Sequence, residues 1–68
     1  MPLPILPFEK IAKNAGAKRI GKDAVEELRD VIEEYGFSLA QKAVKLSEHA
    51  GRRTVKEKDI ELASKGIV

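Results

Sequence analysis

Apolar residues recur every three or four positions through the middle of the chain. Between residues 22 and 49 they occupy these positions: Val25, Leu28, Val31, Ile32, Tyr35, Leu39, Ala43, Val44 and Leu46. These steps follow the period of an α-helix, about 3.6 residues per turn, and no proline interrupts them. Gly36 lies within the run and costs about 1 kcal/mol relative to alanine, which a helix of this length tolerates. The pattern predicts one long helix over residues 22–49, with a stop at Gly51.

A short helix is predicted before the long one, over residues 4–14. Pro7 suits the first helical position, because its backbone angle is already helical and its missing N–H has no acceptor there. Four apolar residues share one face of this helix: Phe8, Ile11, Ala12 and Ala15. Gly16 then supplies the stop.

A second short helix is predicted after the long one, over residues 55–65. Thr54 and Glu57 have the T-x-x-E spacing of a capping box, in which each side chain binds the other residue's backbone N–H. The apolar residues of this segment are Val55, Ile60, Leu62 and Ala63, and Gly66 ends it. No stretch alternates as a β-strand would. The prediction is therefore an all-α single domain over residues 1–68, with helices in the order short, long, short.

The long helix is too long for its own chain. At about 1.5 Å per residue it spans about 42 Å, whereas a compact domain of this size has a diameter of roughly 28 Å. Two short helices cannot cover an apolar stripe that runs nearly from end to end. We therefore expect an obligate dimer, in which a second copy crosses the helix with two-fold symmetry.

Charge is distributed in blocks, although the net charge is only +2. Residues 10–22 contain five basic side chains and no acid, residues 23–34 contain six acids, and residues 52–58 are again mainly basic. If the two basic segments meet in space, they form a cationic patch suited to a polyanion. The alternative is an ordinary solvated surface that carries charges of both signs.

His49 and Asp59 are the candidates for acid–base chemistry. They lack a nucleophile, a phosphate-binding loop and a pocket, so we do not expect an enzyme. The chain has one histidine and no cysteine, which excludes disulfides and most structural zinc sites. No metal, cofactor or small-molecule substrate is predicted. No apolar run reaches the roughly 20 residues of a membrane span, and the N-terminus lacks the basic start of a secretory signal. We expect a soluble intracellular protein.

Four segments form a specific pattern of another kind: LPILP (residues 3–7), NAGAKRI (14–20), EEYG (33–36) and HAGRRTVKEKDIELA (49–63). On these segments the chain resembles the archaeal histones over nearly every position without a gap. The resemblance implies a histone fold, in which two chains interlock as a handshake dimer. It also implies a chromatin protein of the archaeal cytoplasm that is associated with the nucleoid and bends, wraps and compacts double-stranded DNA without sequence preference.

The resemblance places DNA-binding roles on six residues: Lys10, Lys13, Arg19, Arg53, Thr54 and Lys56. Arg19 occupies the position of the arginine that enters the minor groove. The connector after the long helix pairs with the partner chain's first connector, which brings the two basic segments together. Relatives often have arginine at position 10; Lys10 keeps the charge but loses the bidentate geometry, so this contact is expected to be weaker.

The same resemblance implies a four-helix contact between dimers, built from Leu46, His49, Arg52, Asp59 and Leu62. Arg52 would pair with Asp59 inside its own chain, and His49 would pair with Asp59 of the next dimer. Protonation of His49 should strengthen that second pair, since a carboxylate favours the charged imidazole. Dimers could then form tetramers or polymerise along DNA.

Stacking between successive turns of DNA-bound dimers involves, in the family, the positions of Gly16, Asn14/Glu48, Asp30/Glu61 and Glu34/Lys65. Glu34 and Lys65 keep opposite charges, but Asp30 and Glu61 are both acidic and Asn14 is neutral. We therefore expect loose stacking. Gly21 stands where relatives often have a serine or threonine cap, which predicts a slightly looser start of the long helix.

Two other interpretations stay open. The chain could be a specialised histone-fold subunit that pairs with another histone paralogue, as a filament cap or a transcription-factor component. It could also be a purely structural dimerisation module without affinity for DNA. Gel shifts across salt concentrations on random DNA distinguish these from a histone.

Overall fold

The computed structural model describes residues 3–66, and it contains three α-helices. Helix α1 spans Leu6–Asn14, α2 spans Lys22–His49 and α3 spans Glu57–Ser64. None of the described residues lies in a β-strand. The predicted all-α class, with its short, long, short order, is confirmed. None of these helices is both long enough and apolar enough to cross a membrane.

Helix α1 begins two residues later than the predicted 4–14 and ends at the predicted residue. Pro7 is its second residue, where a missing N–H is tolerated because the first four N–H groups of a helix have no intrahelical acceptor. After Asn14, the N–H of Ala17 donates to the Ala12 carbonyl at 3.1 Å and that of Gly16 to the Lys13 carbonyl at 3.0 Å. This pair of bonds is the Schellman pattern, and Gly16 at its turn has a φ of +115°, a value that favours glycine.

The predicted capping box between Thr54 and Glu57 is wrong. Helix α3 begins at Glu57, and its N-cap is Lys56, whose backbone N–H donates to Asp59 Oδ2 at 2.8 Å. Thr54 and Val55 stay in the connector before the cap. The N-cap falls on Lys56 because the buried carboxylate of Asp59 accepts the backbone N–H of that residue. Thr54 lies two residues before the N-cap, so it does not cap the helix. Helix α3 therefore runs over 57–64 and not over the predicted 55–65.

The chain divides into two compact units within α2, between Glu34 and Tyr35. In the first unit the buried apolar side chains are Phe8 of α1 and Val25 of α2, while Ile11 of the predicted α1 face is exposed. The single domain predicted over residues 1–68, whose ends lie outside the described residues, stays a prediction.

In the second unit, small and polar side chains are buried. Ala43 and Ser47 are buried on α2, and Asp59 and Ala63 are buried on α3. Each pair is four residues apart and so lies on one face of its helix. The Ser47 hydroxyl donates to the Val44 carbonyl at 2.8 Å, which satisfies its polar group inside the core.

Large apolar side chains of α2 remain in contact with water. Those of the first unit are Val31 and Ile32, and those of the second are Tyr35, Phe37 and Val44. Tyr35 is 58% exposed and Phe37 is 65% exposed. A stable water-soluble helix seldom carries so many uncovered apolar residues unless another surface covers some of them.

Candidate functional site

The connector that follows α2 begins with a sharp turn. The Arg52 N–H donates to the Ser47 carbonyl and the Gly51 N–H to the Glu48 carbonyl, both at 2.9 Å. This is again the Schellman pattern, and Gly51 takes the left-handed conformation that it requires, with a φ of +73°. The turn fixes the backbone of Arg52 against the end of α2.

Arg52 and Asp59 form a bidentate ion pair. Arg52 Nη1 donates to Asp59 Oδ2 at 2.9 Å, and Nη2 donates to Oδ1 at 2.8 Å. The same Nη1 also donates to the Thr54 carbonyl at 3.0 Å. Asp59 is only 2% exposed, so this charge-assisted pair is shielded from competing water. The intrachain pair that the resemblance implied is therefore present, and it joins the end of α2 to the start of α3.

The carboxyl of Asp59 is held strongly in its ionised form. The Arg52 guanidinium, followed by the Lys56 N–H, lowers the pKa of Asp59 to about 2 from the ordinary 3.8. The carboxylate in turn raises the pKa of Arg52 above its ordinary value through their hydrogen bonds. A carboxylate with so low a pKa is a poor proton acceptor near neutral pH, which weighs against a role as a general base.

Asp59 has little hydrogen-bonding capacity left. Its oxygens already accept from two guanidinium N–H groups and from the Lys56 N–H. A carboxylate offers about four acceptor positions, so about one remains, on Oδ1. A further donor that reaches Asp59 therefore has a single place to bind.

The other residues predicted for contact between dimers also lie in the second unit. His49 is the last residue of α2 and is exposed, and it makes no hydrogen bond to another side chain within residues 3–66. Leu46 is half-buried, and Leu62 of α3 is exposed. An imidazole and an apolar side chain are thus available on the same unit as the Arg52–Asp59 pair.

The predicted DNA-binding residues of the second unit lie in or next to the connector. Arg53, Thr54 and Lys56 are exposed, and neither cation forms an ion pair within the described part of the chain. Arg52, the neighbour of Arg53, is the connector residue that pairs with an acid. The connector therefore presents two uncompensated positive charges beside the hydroxyl of Thr54.

The predicted DNA-binding residues of the first unit are Lys10 and Lys13 on α1 and Arg19 in the connector that follows. All three are exposed. Lys13 Nζ lies 3.3 Å from Glu9 Oε1, whereas Lys10 and Arg19 form no ion pair among residues 3–66. Lys10 and Lys13 are three residues apart and so lie on one side of α1.

The charged residues predicted for stacking are mostly engaged within their own chain. Arg29 Nε donates to Asp30 Oδ1 at 3.0 Å, and Lys65 Nζ lies 3.4 Å from Glu61 Oε1. Glu34 is exposed. At Gly16 an added Cβ would meet no atom within 4 Å, so a substitution there is opposed by the backbone angle and not by crowding.

Phe37 is the exposed residue that sequence reasoning overlooked. It lies only two positions after Tyr35, which puts it about 200° away around the helix and outside the apolar stripe. The signal was readable in the sequence, because Phe37 is the aromatic residue of 22–49 that breaks the period of the stripe. Within residues 3–66 no group of three or more acidic, histidine or cysteine side chains is arranged to hold a metal ion.

The sequence model of one protein family, described as "Histone-like transcription factor (CBF/NF-Y) and archaeal histone", matches residues 1–63. The chain belongs to this histone family. It is 43% identical to one of the subunits of the archaeal histone HAN1 of Thermococcus zilligii, over 93% of this chain and 94% of that protein. It is 39% identical to the probable archaeal histone 3 of Methanocaldococcus jannaschii, over 94% and 96% of the two chains.

A eukaryotic relative extends the comparison. Histone H4 of Dictyostelium discoideum is 38% identical over 85% of this chain and 54% of its own length. The resemblance found in the sequence is thus confirmed, and with it the histone fold. As a member of this family the chain is a DNA-binding chromatin protein.

Proposed function

We propose that the chain binds duplex DNA without sequence preference, wraps it around a histone dimer and compacts it on the chromosome, in the cytoplasm of an archaeon. The supporting observation is the contrast between neighbouring cations. Arg52 is held by a buried carboxylate at 2.8 and 2.9 Å, whereas Arg53, Lys56, Lys10 and Arg19 are exposed and unpaired in the described part of the chain.

Unpaired surface cations suit a polyanion. Each lysine or arginine that binds a phosphate releases condensed counterions, which gives strong, salt-dependent and sequence-independent affinity. In this proposal Lys10, Lys13, Arg53, Thr54 and Lys56 bind the backbone. An arginine inserted in the minor groove favours DNA that is narrow there or bends easily, and we assign that role to Arg19.

We propose a homodimer formed through the exposed stripe of α2. Val31, Ile32 and Tyr35 lie near the middle of this 28-residue helix and remain exposed in the single chain. A second copy that crosses the middle of α2 would bury them about a two-fold axis. Dimerisation would also bring the first connector of one chain to the second connector of its partner, uniting the two basic segments.

Dimers associate further through the second unit. His49 of one dimer donates to the remaining acceptor position of Asp59 in the next, and Leu46 and Leu62 supply apolar contact. Because Asp59 stays ionised, protonation of His49 strengthens this bond. We propose no catalytic role for this pair: three donors already bind the Asp59 carboxylate.

Contacts between successive turns are weak in this proposal. Asp30 and Glu61 would face each other with like charge. Lys65 already pairs with Glu61 of its own chain, which weakens its attraction to Glu34 of a neighbouring turn. Exposed ion pairs contribute only about 0–1 kcal/mol each, but the deficit repeats with every dimer along a filament. Gly16 still permits close approach.

A second candidate is a specialised protein that pairs with another histone chain. It is supported by the two acidic residues at a predicted stacking contact and by the relative from Thermococcus zilligii, which is itself named as one subunit of the archaeal histone HAN1. Exposed apolar residues on α2 suit a paralogue as well as an identical copy. Mixing tagged chains and measuring the mass of the complex separates the two candidates.

The DNA proposal is tested by the salt dependence of binding to a random-sequence duplex, measured by fluorescence anisotropy. We expect the slope of log affinity against log salt to shrink by about 0.9 for each phosphate that the variant no longer neutralises. The double variant Arg53→Ala, Lys56→Ala should therefore have a smaller salt slope than the parent. Lys65→Ala, which removes an exposed cation paired with Glu61, is the matched control. An unchanged slope in the double variant would contradict the assignment.

A further inference from the structure

We propose that Lys42 and Lys45 make the contact between dimers selective. They oppose contact with a second copy of this chain and favour a histone chain that is acidic at the corresponding positions of α2. The proposal rests on the contact between dimers that was assigned to His49 and Asp59 under the proposed function. All of these residues belong to the second unit. The surface formed by Lys42, Lys45 and His49 is called here the Lys45 face.

The three residues of the Lys45 face share one side of α2. Lys45 follows Lys42 by three residues and precedes His49 by four, and these are the spacings of neighbours on a helix surface. Lys42 and His49 are seven residues apart, about 20° short of two full turns, so they lie nearly in line along the helix. Leu46 lies between them, four residues after Lys42. A neighbouring dimer that reaches Leu46 and His49 therefore comes close to both lysines.

The positive charge of the Lys45 face is not neutralised by its own unit. Lys42 and Lys45 are exposed, and neither forms an ion pair within the described residues. Glu48 is the one acid of α2 within the second unit. It follows Lys45 by three residues without pairing with it, and it lies about 100° around the helix from His49. The side of α2 that carries His49 thus holds two lysines and no acid.

A contact between identical dimers would bring equal charges together. In a two-fold contact the same surface is used on both sides. The second unit contains seven lysine or arginine side chains and four aspartate or glutamate side chains. Asp59, the acid that this contact offers to His49, is already bound by Arg52 at 2.8 and 2.9 Å. The excess of positive charge on one unit therefore meets the same excess on the other, which disfavours association.

An acidic partner turns this repulsion into attraction. A histone chain with glutamate or aspartate at the positions of Lys42 and Lys45 would place carboxylates beside both lysines. Specific contacts commonly combine attraction to the right partner with repulsion of the wrong one. DNA is the other available anion, but Leu46 and His49 lie on the same side of α2 and are covered by the neighbouring dimer in the proposed contact. DNA also raises the local concentration of dimers, so a contact that is opposed in free solution still forms along a filament.

The first test measures the association of dimers of the full chain without DNA, by sedimentation velocity at one fixed pH. The parent should form few tetramers at low salt and more at high salt, because salt screens the repulsion. The double variant Lys42→Gln, Lys45→Gln should raise the tetramer association constant at low salt about tenfold. Lys65→Gln is the control for net charge: it removes an exposed cation of the same unit that pairs with Glu61, and it should change the constant little.

The second test supplies an acidic partner. The double variant Lys42→Glu, Lys45→Glu is labelled with nitrogen-15 and mixed with the unlabelled parent at low salt. The mixture should contain more tetramer than either protein alone. Native mass spectrometry should show that tetramers with two chains of each kind exceed the share expected from random mixing. Circular dichroism should give every variant the helicity of the parent, since only exposed side chains are replaced.

Three results would overturn the proposal. Tetramers of the parent that depend neither on salt nor on the two lysines would overturn it while the contact between dimers stands. If no tetramer forms in any mixture at any salt concentration, the contact between dimers fails and this proposal fails with it. If Lys42→Gln, Lys45→Gln lowers the salt slope of DNA binding by about 0.9 for each lysine, DNA is the occupant of the Lys45 face.

Discussion

Arg52 and Asp59 are joined by two hydrogen bonds, at 2.8 and 2.9 Å, although they are seven positions apart in sequence. The carboxylate that receives them also accepts the N–H of Lys56, the N-cap of α3. The buried Asp59 carboxylate therefore fixes the connector after α2 by binding Arg52, and it caps the start of α3 by binding the Lys56 N–H. The exposed cations Arg53 and Lys56 belong to this connector, so the contacts of Asp59 hold their backbone in place.

Replacing Asp59 by alanine should destabilise the protein, although it removes none of the proposed DNA-binding side chains. The change leaves the Arg52 guanidinium without its carboxylate partner, and it removes the acceptor of the Lys56 N–H at the start of α3. We expect Tm to fall by at least about 4–8 °C, the shift expected from the loss of a helix cap alone. Thermal melts must be compared at one protein concentration. Glu57→Gln, which removes an exposed acid from the same helix turn, should leave Tm nearly unchanged.

Acid should remove the contribution of Asp59 to stability. Its pKa is about 2 in the folded chain, against an ordinary 3.8, so the folded state favours the carboxylate. The contribution is present above about pH 3.8 and is lost as the pH falls through about 2. In urea titrations, the gap in unfolding free energy between the parent and Asp59→Asn should narrow over that interval. A gap that stays constant from pH 5 to pH 2 would argue against the pair.

The period of the apolar residues was sufficient to predict α2, because a long helix is determined by a pattern repeated over many turns. The start of α3 was not predictable in the same way. Thr54 and Glu57 have a good local spacing, but the cap depends on where Arg52 holds Asp59, and that is a tertiary contact. Phe37 was overlooked for a simpler reason. Phe37 lies outside the apolar stripe, so the helical period of the stripe gives no information about it.

His49→Ala should shorten the stretch of DNA protected from nuclease without unfolding the chain. His49 is exposed and forms no side-chain hydrogen bond within residues 3–66, so its loss affects little of its own fold. If it binds the last acceptor position of Asp59 in a neighbouring dimer, dimers should separate. Micrococcal nuclease digestion of reconstituted DNA should then give dimer-sized fragments in place of a ladder.

His49→Ala is a cleaner test of this contact than Asp59→Ala, because Asp59 also supports its own chain. Circular dichroism at matched concentration should confirm an unchanged fold. A ladder identical to that of the parent would count against contact between dimers at this residue.

Asp30→Lys should tighten the DNA-bound fibre. The change turns the proposed repulsion between Asp30 and Glu61 into an attraction and also removes the acceptor of Arg29, which lies 3.0 Å away. An exposed pair contributes about 0–1 kcal/mol, but the gain repeats along the filament. Force spectroscopy on single DNA molecules should require a higher force to unstack the variant. Glu27→Lys adds the same charge at another exposed position of α2 and should leave the force lower than in Asp30→Lys.

Tyr35 and Phe37 are two exposed aromatic residues that should respond differently to removal. Tyr35 lies on the stripe that a second copy would cover, whereas Phe37 points about 200° away around α2. Tyr35→Ala should weaken the dimer by roughly 1.5–3 kcal/mol, about the free energy of burying a large apolar side chain. The parent's Tm should rise with protein concentration, and Tyr35→Ala should lower Tm at every concentration. Phe37→Ala should leave the dissociation constant of the dimer unchanged in sedimentation equilibrium. If Phe37→Ala dissociates the dimer and Tyr35→Ala does not, the dimer uses the other face of α2.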